Sequence, residues 1–202
     1  MKLAHAIYAG LLAAAIVLGW FGMKAKADSP AETLKLLRSG GYTIYFRHAA
    51  TERNPNETGA PANEDCAHQR NLSAGGREQA RRIGAAVRAL KIPVSRVLAG
   101  PLCRTMETAH LIFGRSQSEP DVRGGGLGQP DYPGLRRLVA QVPPAGSNNA
   151  IVGHGHQFQA VAESNAELAE GEAAIVKADG KGGFKVVARI GSDEWSRLQG
   201  AH

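Results

Sequence analysis

Apolar positions along the chain alternate between short continuous runs and stretches with a spacing of three and four, so strands and helices should follow one another. Ser29-Pro30-Ala31-Glu32 caps a first short helix with Leu34 and Leu37 turned inward, and Gly40-Gly41 stops it. Tyr42–Phe46, β-branched and aromatic, predicts the first strand. After Ser73 the apolar residues Ala80, Ile83, Val87 and Leu90 fall on one helical face. Val94–Ala99 is a second strand, Leu102–Phe113 a helix, Leu135–Val142 another helix and Asn149–Val152 a short apolar strand. A helix from His156 to about Asn165 precedes two closing strands, about Ala173–Lys177 and Phe184–Ile190, around a Gly-rich turn at Asp179–Gly183. This alternation predicts an α/β domain: a three-layer α/β/α sandwich with a mostly parallel central sheet. Two loops interrupt it. One runs from about Ala49 to Asn71 with Pro55, Gly59 and Pro61, a length that usually signals function, and the other holds Gly124-Gly125-Gly126 and Pro130.

The N-terminus breaks the pattern. Lys2 and His5 precede an apolar stretch, Ala6–Met23, followed by Lys24-Ala25-Lys26-Ala27, with small residues in the A-x-A arrangement before Asp28. A basic start, an apolar middle and a small-residue cut describe a secretory signal peptide over residues 1–27, with an uncleaved membrane anchor as the alternative. Either way residues 28–202 form one exported domain, periplasmic or secreted, which touches a membrane only if the leader stays attached. The 202-residue chain carries a formal +6, but Lys2, Lys24 and Lys26 lie in the leader and no acid does, so the domain itself carries +3. No basic run with interleaved aromatics remains, and a nucleic-acid partner is not expected. With 43% hydrophobic and 21% charged residues the chain can bury a core. Two cysteines, Cys66 and Cys103, are too few for a disulfide-built scaffold or a structural zinc site. They are either independent thiols or, in an oxidising compartment, a bond that pins the long loop.

In open α/β sheets ligands sit beyond the carboxyl ends of the strands. Arg47-His48 follows the first strand, Gly100-Pro101 with Arg104 follows the second, and Gly153-His154-Gly155-His156 follows Asn149–Val152. Two guanidiniums and two or three imidazoles thus converge on one edge. Arginine matches phosphate oxygens with a planar fork of donors, and a neutral imidazole is a nucleophile toward phosphorus. One histidine as nucleophile and the rest as clamp would support phosphoryl transfer without a metal or other cofactor. His154 and His156 could instead be a metal pair, but no Cys, Asp or Glu cluster at ligand spacing accompanies them.

The same residues resemble a known family. Arg47-His48-Ala49-Ala50-Thr51-Glu52-Arg53-Asn54 is similar to the R-H-G-x-T-x-x-N signature of the histidine phosphatase superfamily, which includes the phosphoglycerate mutases. Leu72-Ser73-Ala74-Gly75-Gly76-Arg77-Glu78-Gln79-Ala80 resembles its L-S-x-x-G-x-x-Q-A segment, Gly100–Ala109 its S-P-x-x-R-T-x-x-T-A segment, and Val152-Gly153-His154-Gly155 its V-G-H-G. Ala49 replaces the usual Gly and Gly100 the usual Ser. The resemblance implies a phosphoglycerate mutase-like fold and hydrolysis of phosphomonoesters through a phosphohistidine on His48. Arg47, Arg104 and His154 would bind the phosphate, with Asn54 and Thr51 as further polar contacts. The chain is similar to exported members near the lipopolysaccharide-core heptose phosphatases, so the expected partner is a phosphorylated small molecule or an envelope phosphosugar. A phosphomutase and a catalytically silent phospho-ligand binder are the alternatives. The general acid has no clean counterpart: Glu172, Asp121 and Asp131 are candidates, and Glu172 ranks first because it directly precedes a strand.

Overall fold

The computed structural model describes residues 29–52, 65–123 and 131–200; the segment read as a signal peptide, Asn54 and the Gly124–Gly126 stretch lie outside them. The strands are β1 (Thr43–Arg47), β2 (Val94–Ala99), β3 (Gln117–Ser118), β4 (Asn148–Gly153), β5 (Ala173–Ala178) and β6 (Phe184–Ile190). They form one sheet in the order β3-β2-β4-β1-β5-β6. β1, β2, β3 and β4 are mutually parallel, β5 pairs antiparallel with both β1 and β6, and so β5 alone runs against the others. The mostly parallel sheet expected from the alternating pattern is present.

Alternation along each strand sends successive side chains to opposite faces, and each face has its own core. Ile44, Phe46, Val97, Ala99, Ala150, Val152 and Ile175 meet helices α1 (Pro30–Ser39), α2 (Ala74–Ala89), α3 (Cys103–Phe113) and the short α7 (Glu194–Arg197). Here Phe46 stacks on Trp195 and meets Phe113 edge-on. The intervening residues Tyr45, Leu98, Ile151, Ala174 and Val176 meet α4 (Pro120–Arg123), α5 (Pro133–Val139) and α6 (Gly155–Ala162) through Val122, Leu135, Val139, Phe158 and Val161. Three layers result, helices on either side of one sheet.

The predicted helix caps form as expected. Ser29 Oγ accepts from the Glu32 N–H, and Ser73 Oγ accepts from the Gly76 N–H. Differences from the sequence-based expectations fall at short elements. β3, α4 and α7 span two to four residues, too few for a period to show. α5 stops at Val139, short of the expected Val142, which is 64% exposed. α6 begins at Gly155, earlier than expected, with His154 as its N-cap.

Candidate active site

The register of the central strands levels their carboxyl ends. Arg47 pairs with Gly153 across β1 and β4, and Ala99 pairs with Val152 across β2 and β4. The ladder continues one step beyond the strands: the His48 N–H donates to Gly153 O at 3.0 Å and the Gly100 N–H to Val152 O at 3.1 Å. Arg47, His48, Arg104 and His154 are therefore brought to one edge by backbone pairing. The convergence expected from the residues at the strand ends is realised.

His48 is 2% exposed, and its Nδ1 lies 2.8 Å from the Ala49 carbonyl oxygen. A carbonyl only accepts, so Nδ1 carries the proton and Nε2 of the neutral ring keeps its lone pair. Burial pushes the His48 imidazole down to about 3, and the charges of Arg104, Arg47 and Arg70 act in the same direction. His154 is also held well below the usual imidazole range, first by burial and then by Arg104 and His48. The two rings meet edge-on with centroids 5.3 Å apart, and the exposed His156 stacks on His154 at 5.8 Å. Two neutral imidazoles among guanidiniums are ready to receive an anion, and one presents an unprotonated nitrogen.

The family-like segments place this edge through hydrogen bonds that the sequence alone did not assign. Thr108 Oγ1 accepts from the Ala49 N–H at 3.1 Å and donates to Arg104 O at 2.7 Å, tying the segment after His48 to the helix of Arg104. Gln79 accepts from the Ala50 N–H and donates to Glu170 O, bridging the same loop to the segment before β5. Gly76 lies so close to the Ala50 carbonyl that a side chain there would collide with it. Tyr45, fully buried, donates its hydroxyl to His154 O and accepts from the His154 N–H, both at 3.0 Å. Its hydroxyl lies against Gly153, where a Cβ has no room. In the sequence Tyr45 is simply a strand residue; only the fold shows that it holds the second histidine.

Arg47 donates through Nη1 to Leu168 O at 2.8 Å and to Glu167 at 3.3 Å, while its buried Nε meets no acceptor among the described residues. Arg104 Nη1 donates to Arg70 O at 3.4 Å. The first N–H of α3, on Cys103, donates to the Gln69 carboxamide at 2.9 Å, so that donor is taken by the protein itself. Cys66, in a 3-10 turn over Cys66–His68, is bonded to Cys103, with Cα atoms 5.8 Å apart. Of the two readings open for the cysteines, the structure adopts the bond.

The predicted acid does not reach this edge. The Glu172 carboxylate accepts from Arg189 at 2.6 and 3.0 Å and from the Ala169 N–H at 2.7 Å. Burial opposes its ionisation, yet Arg189 and the Ala169 N–H outweigh that and hold it below the usual carboxylate range. An ionised, paired carboxylate is a poor proton donor, so this pairing does not favour the role of acid expected for Glu172. Asp121 pairs with Arg137 at 3.3 Å on the other side of the sheet, and Asp131 is exposed. The carboxylate that does reach His48 is Glu170, missed in the sequence, with Oε1 4.0 Å from Nδ1. Thr51 donates its hydroxyl to the same oxygen at 2.9 Å. Gly171, at φ +79° and donating its N–H to His48 O, separates the two glutamates. That left-handed turn sends Glu170 to His48 and Glu172 to Arg189. Among the described residues no three His, Cys, Asp or Glu side chains gather in a metal-binding cluster.

A buried histidine whose Nδ1 donates to Ala49 O, a second histidine and clustered arginines stand together at the carboxyl edge of a parallel sheet, an arrangement chemically suited to an anion. The model of the histidine phosphatase superfamily (branch 1) matches residues 44–125. No curated protein matches the chain. Among solved structures, the protein histidine phosphatase SixA complexed with tungstate is 15% identical with a TM-score of 0.55, over 76% of this chain and 98% of that one. A putative phosphohistidine phosphatase SixA from Nakamurella multipartitia is 21% identical, TM-score 0.52, over 74% and 94%. A mycobacterial glucosyl-3-phosphoglycerate phosphatase with VO3 is 14% identical, TM-score 0.53, over 74% and 98%. The fold is that of these histidine phosphatase structures, and the superfamily model covers the segment from β1 through α4 that carries Arg47, His48 and Arg104.

Proposed function

We propose that this protein is an exported phosphatase that hydrolyses phosphomonoesters through a phosphohistidine on His48, without a metal. The observation that carries the reading is His48 itself, with Nδ1 donating to Ala49 O and Nε2 left with a lone pair beside Arg47, Arg104 and His154. Nε2 attacks phosphorus and the ester oxygen departs with the bonding pair, taking a proton from solvent water to leave as the alcohol. Water then attacks the phosphohistidine, releasing inorganic phosphate and restoring the neutral ring. Arg47, Arg104 and His154 neutralise the phosphoryl oxygens as charge shifts among them. Because Nδ1 stays protonated, phosphorylation at Nε2 makes the ring cationic, and Glu170, 4.0 Å from Nδ1, supplies the opposing charge.

Export is supported by the leader pattern of residues 1–27 and by the Cys66–Cys103 bond, which belongs to an oxidising compartment. No helix among the described residues is long and apolar enough to cross a membrane. The substrate is a phosphorylated small molecule, with envelope phosphosugars of the kind taken by the lipopolysaccharide-core heptose phosphatases as the first to test. The SixA-like fold neighbours make phosphohistidine proteins the second class to test.

The deciding experiment incubates the protein with a radiolabelled phosphomonoester and quenches in alkali, where phosphohistidine survives. Wild type is expected to retain acid-labile label and to release phosphate on longer incubation; His48→Ala should do neither. Binding without label on either protein would make it a silent phospho-ligand binder, and transfer to an added alcohol rather than water would make it a mutase.

A further inference from the structure

Resting on that reading, we propose that Arg70 is a third guanidinium of the phosphate site, held there by the Cys66–Cys103 disulfide. Arg70 belongs to no helix or strand; it follows the 3-10 turn Cys66–His68 and lies between two parts of the site. On one side, the Glu52 N–H donates to Asn71 O at 3.1 Å and Thr51 bridges to Leu72, so the residues after Arg70 pair with the segment that follows His48. On the other, Gln69 accepts from the Cys103 N–H and Arg70 O accepts from Arg104 Nη1, so its own backbone lies against the start of α3. The Arg70 side chain is half-buried, and its Nε, like that of Arg47, is enclosed with no acceptor among the described residues. Two enclosed guanidinium Nε donors without acceptors among the described residues, on segments that meet at this edge, are what an anion of several oxygens would satisfy. The charge of Arg70 also acts on His48 together with those of Arg47 and Arg104.

The disulfide explains how a loop residue can hold such a place. Within the turn, Asp65 accepts from the Ala67 N–H and pairs with His68, and Asn71 donates to Cys66 O. These bonds shape the turn but do not attach it to α3. Attachment comes from the covalent bond and from the two hydrogen bonds at Gln69 and Arg70. The bond closes 37 residues of chain, so without it the turn and α3 must find each other at a substantial cost in chain entropy. Cys103 immediately precedes Arg104, so the disulfide fixes two of the guanidiniums at once.

The test measures the Kd of inorganic phosphate by calorimetry on the oxidised full chain. Variants are Arg70→Met, Arg70→Lys, Cys66→Ser/Cys103→Ser, and the cysteine pair combined with Arg70→Met. Arg81→Met, on an exposed face of α2, is the control and should leave Kd unchanged. Arg70→Met is expected to weaken phosphate 10- to 100-fold, with Arg70→Lys between it and wild type. Removing the cysteines should weaken phosphate several-fold, and Arg70→Met should then cost much less than it does in the oxidised protein. Arg70→Met binding phosphate within twofold of wild type overturns the role of Arg70. An equal Arg70→Met penalty with and without the disulfide overturns the role of the bond. Should Arg70→Met fail to fold, the comparison of Arg70→Lys with wild type decides, because a purely structural arginine retains phosphate affinity as lysine. Wild type that binds no phosphate overturns this proposal and the phosphate-site reading together; wild type that binds but never turns over a phosphomonoester defeats only the catalytic reading.

Discussion

Replacing Tyr45 by Phe deletes one oxygen atom from a fully buried position and leaves the ring's stacking on Phe158, at 4.5 Å, in place. The hydroxyl serves two backbone groups of His154, and their fates differ. The His154 carbonyl keeps a second partner, since the Phe158 N–H donates to it at 3.2 Å inside α6. The His154 N–H loses its acceptor and stays buried. A stranded buried donor costs about 1–3 kcal/mol, so the loss should be about 2 kcal/mol. In a domain of this size 1 kcal/mol corresponds to about 2–4 °C, which gives a fall in Tm of about 6 °C. Circular dichroism melts of wild type and Tyr45→Phe measure it, with Tyr42→Phe as control. Tyr42 keeps its contact with Lys177 Nζ, 4.5 Å from the ring centroid, after the same change, so its Tm should stay within about 1 °C. Because the lost bonds fix His154, Tyr45→Phe should also lower kcat/KM for a phosphomonoester, measured below its Tm. A melt of Tyr45→Phe indistinguishable from wild type would falsify the claim that this hydroxyl holds the second histidine.

The two glutamates around Gly171 should separate cleanly. Glu172→Gln, at the Arg189 pair, is expected to lower Tm while leaving turnover of an alkyl phosphate near wild type; a large loss of turnover would restore Glu172 to the chemistry. Glu170→Gln should leave the fold intact and lower kcat about tenfold, or ~1.4 kcal/mol, with the loss in formation or breakdown of the phosphohistidine. Unchanged single-turnover kinetics would remove Glu170 from the mechanism. His48 has its folded-state value lowered from 6.5 to about 3, so below 6.5 the unfolded chain takes up a proton that the folded chain refuses. The stability that this contributes is complete above pH 6.5 and is lost as pH falls toward about 3, with His154 acting in the same direction. Urea midpoints of wild type should therefore fall more steeply over that range than those of His48→Ala, and parallel curves would show that His48 does not titrate this way.

Much of this molecule can be read locally. The runs at Tyr42–Phe46, Val94–Ala99 and Asn149–Val152 become β1, β2 and β4 because continuous apolar strands fit only a sheet covered on both faces. Since ligands gather at the carboxyl ends of such strands, Arg47, His48, Arg104 and His154 could be placed on one edge from their positions alone. Ser29 and Ser73 cap their helices as expected, because a cap is decided within four residues. Glu170 and Glu172 stand two positions apart before the same strand and offer the same chemistry to a reader of the sequence. Their separation depends on a left-handed Gly171 whose N–H reaches His48 O, a contact between distant segments that no local period encodes. Tyr45 likewise finds His154 across the sheet, and Arg70 owes its place to a bond between Cys66 and Cys103 that the sequence permits without requiring. The sequence by itself determined the fold class and the four charged or imidazole side chains at the strand ends, because backbone periodicity and strand polarity are local properties. Which carboxylate approaches His48, what holds His154 and where Arg70 lies were decided only by the tertiary structure, because each depends on packing between segments far apart in the chain.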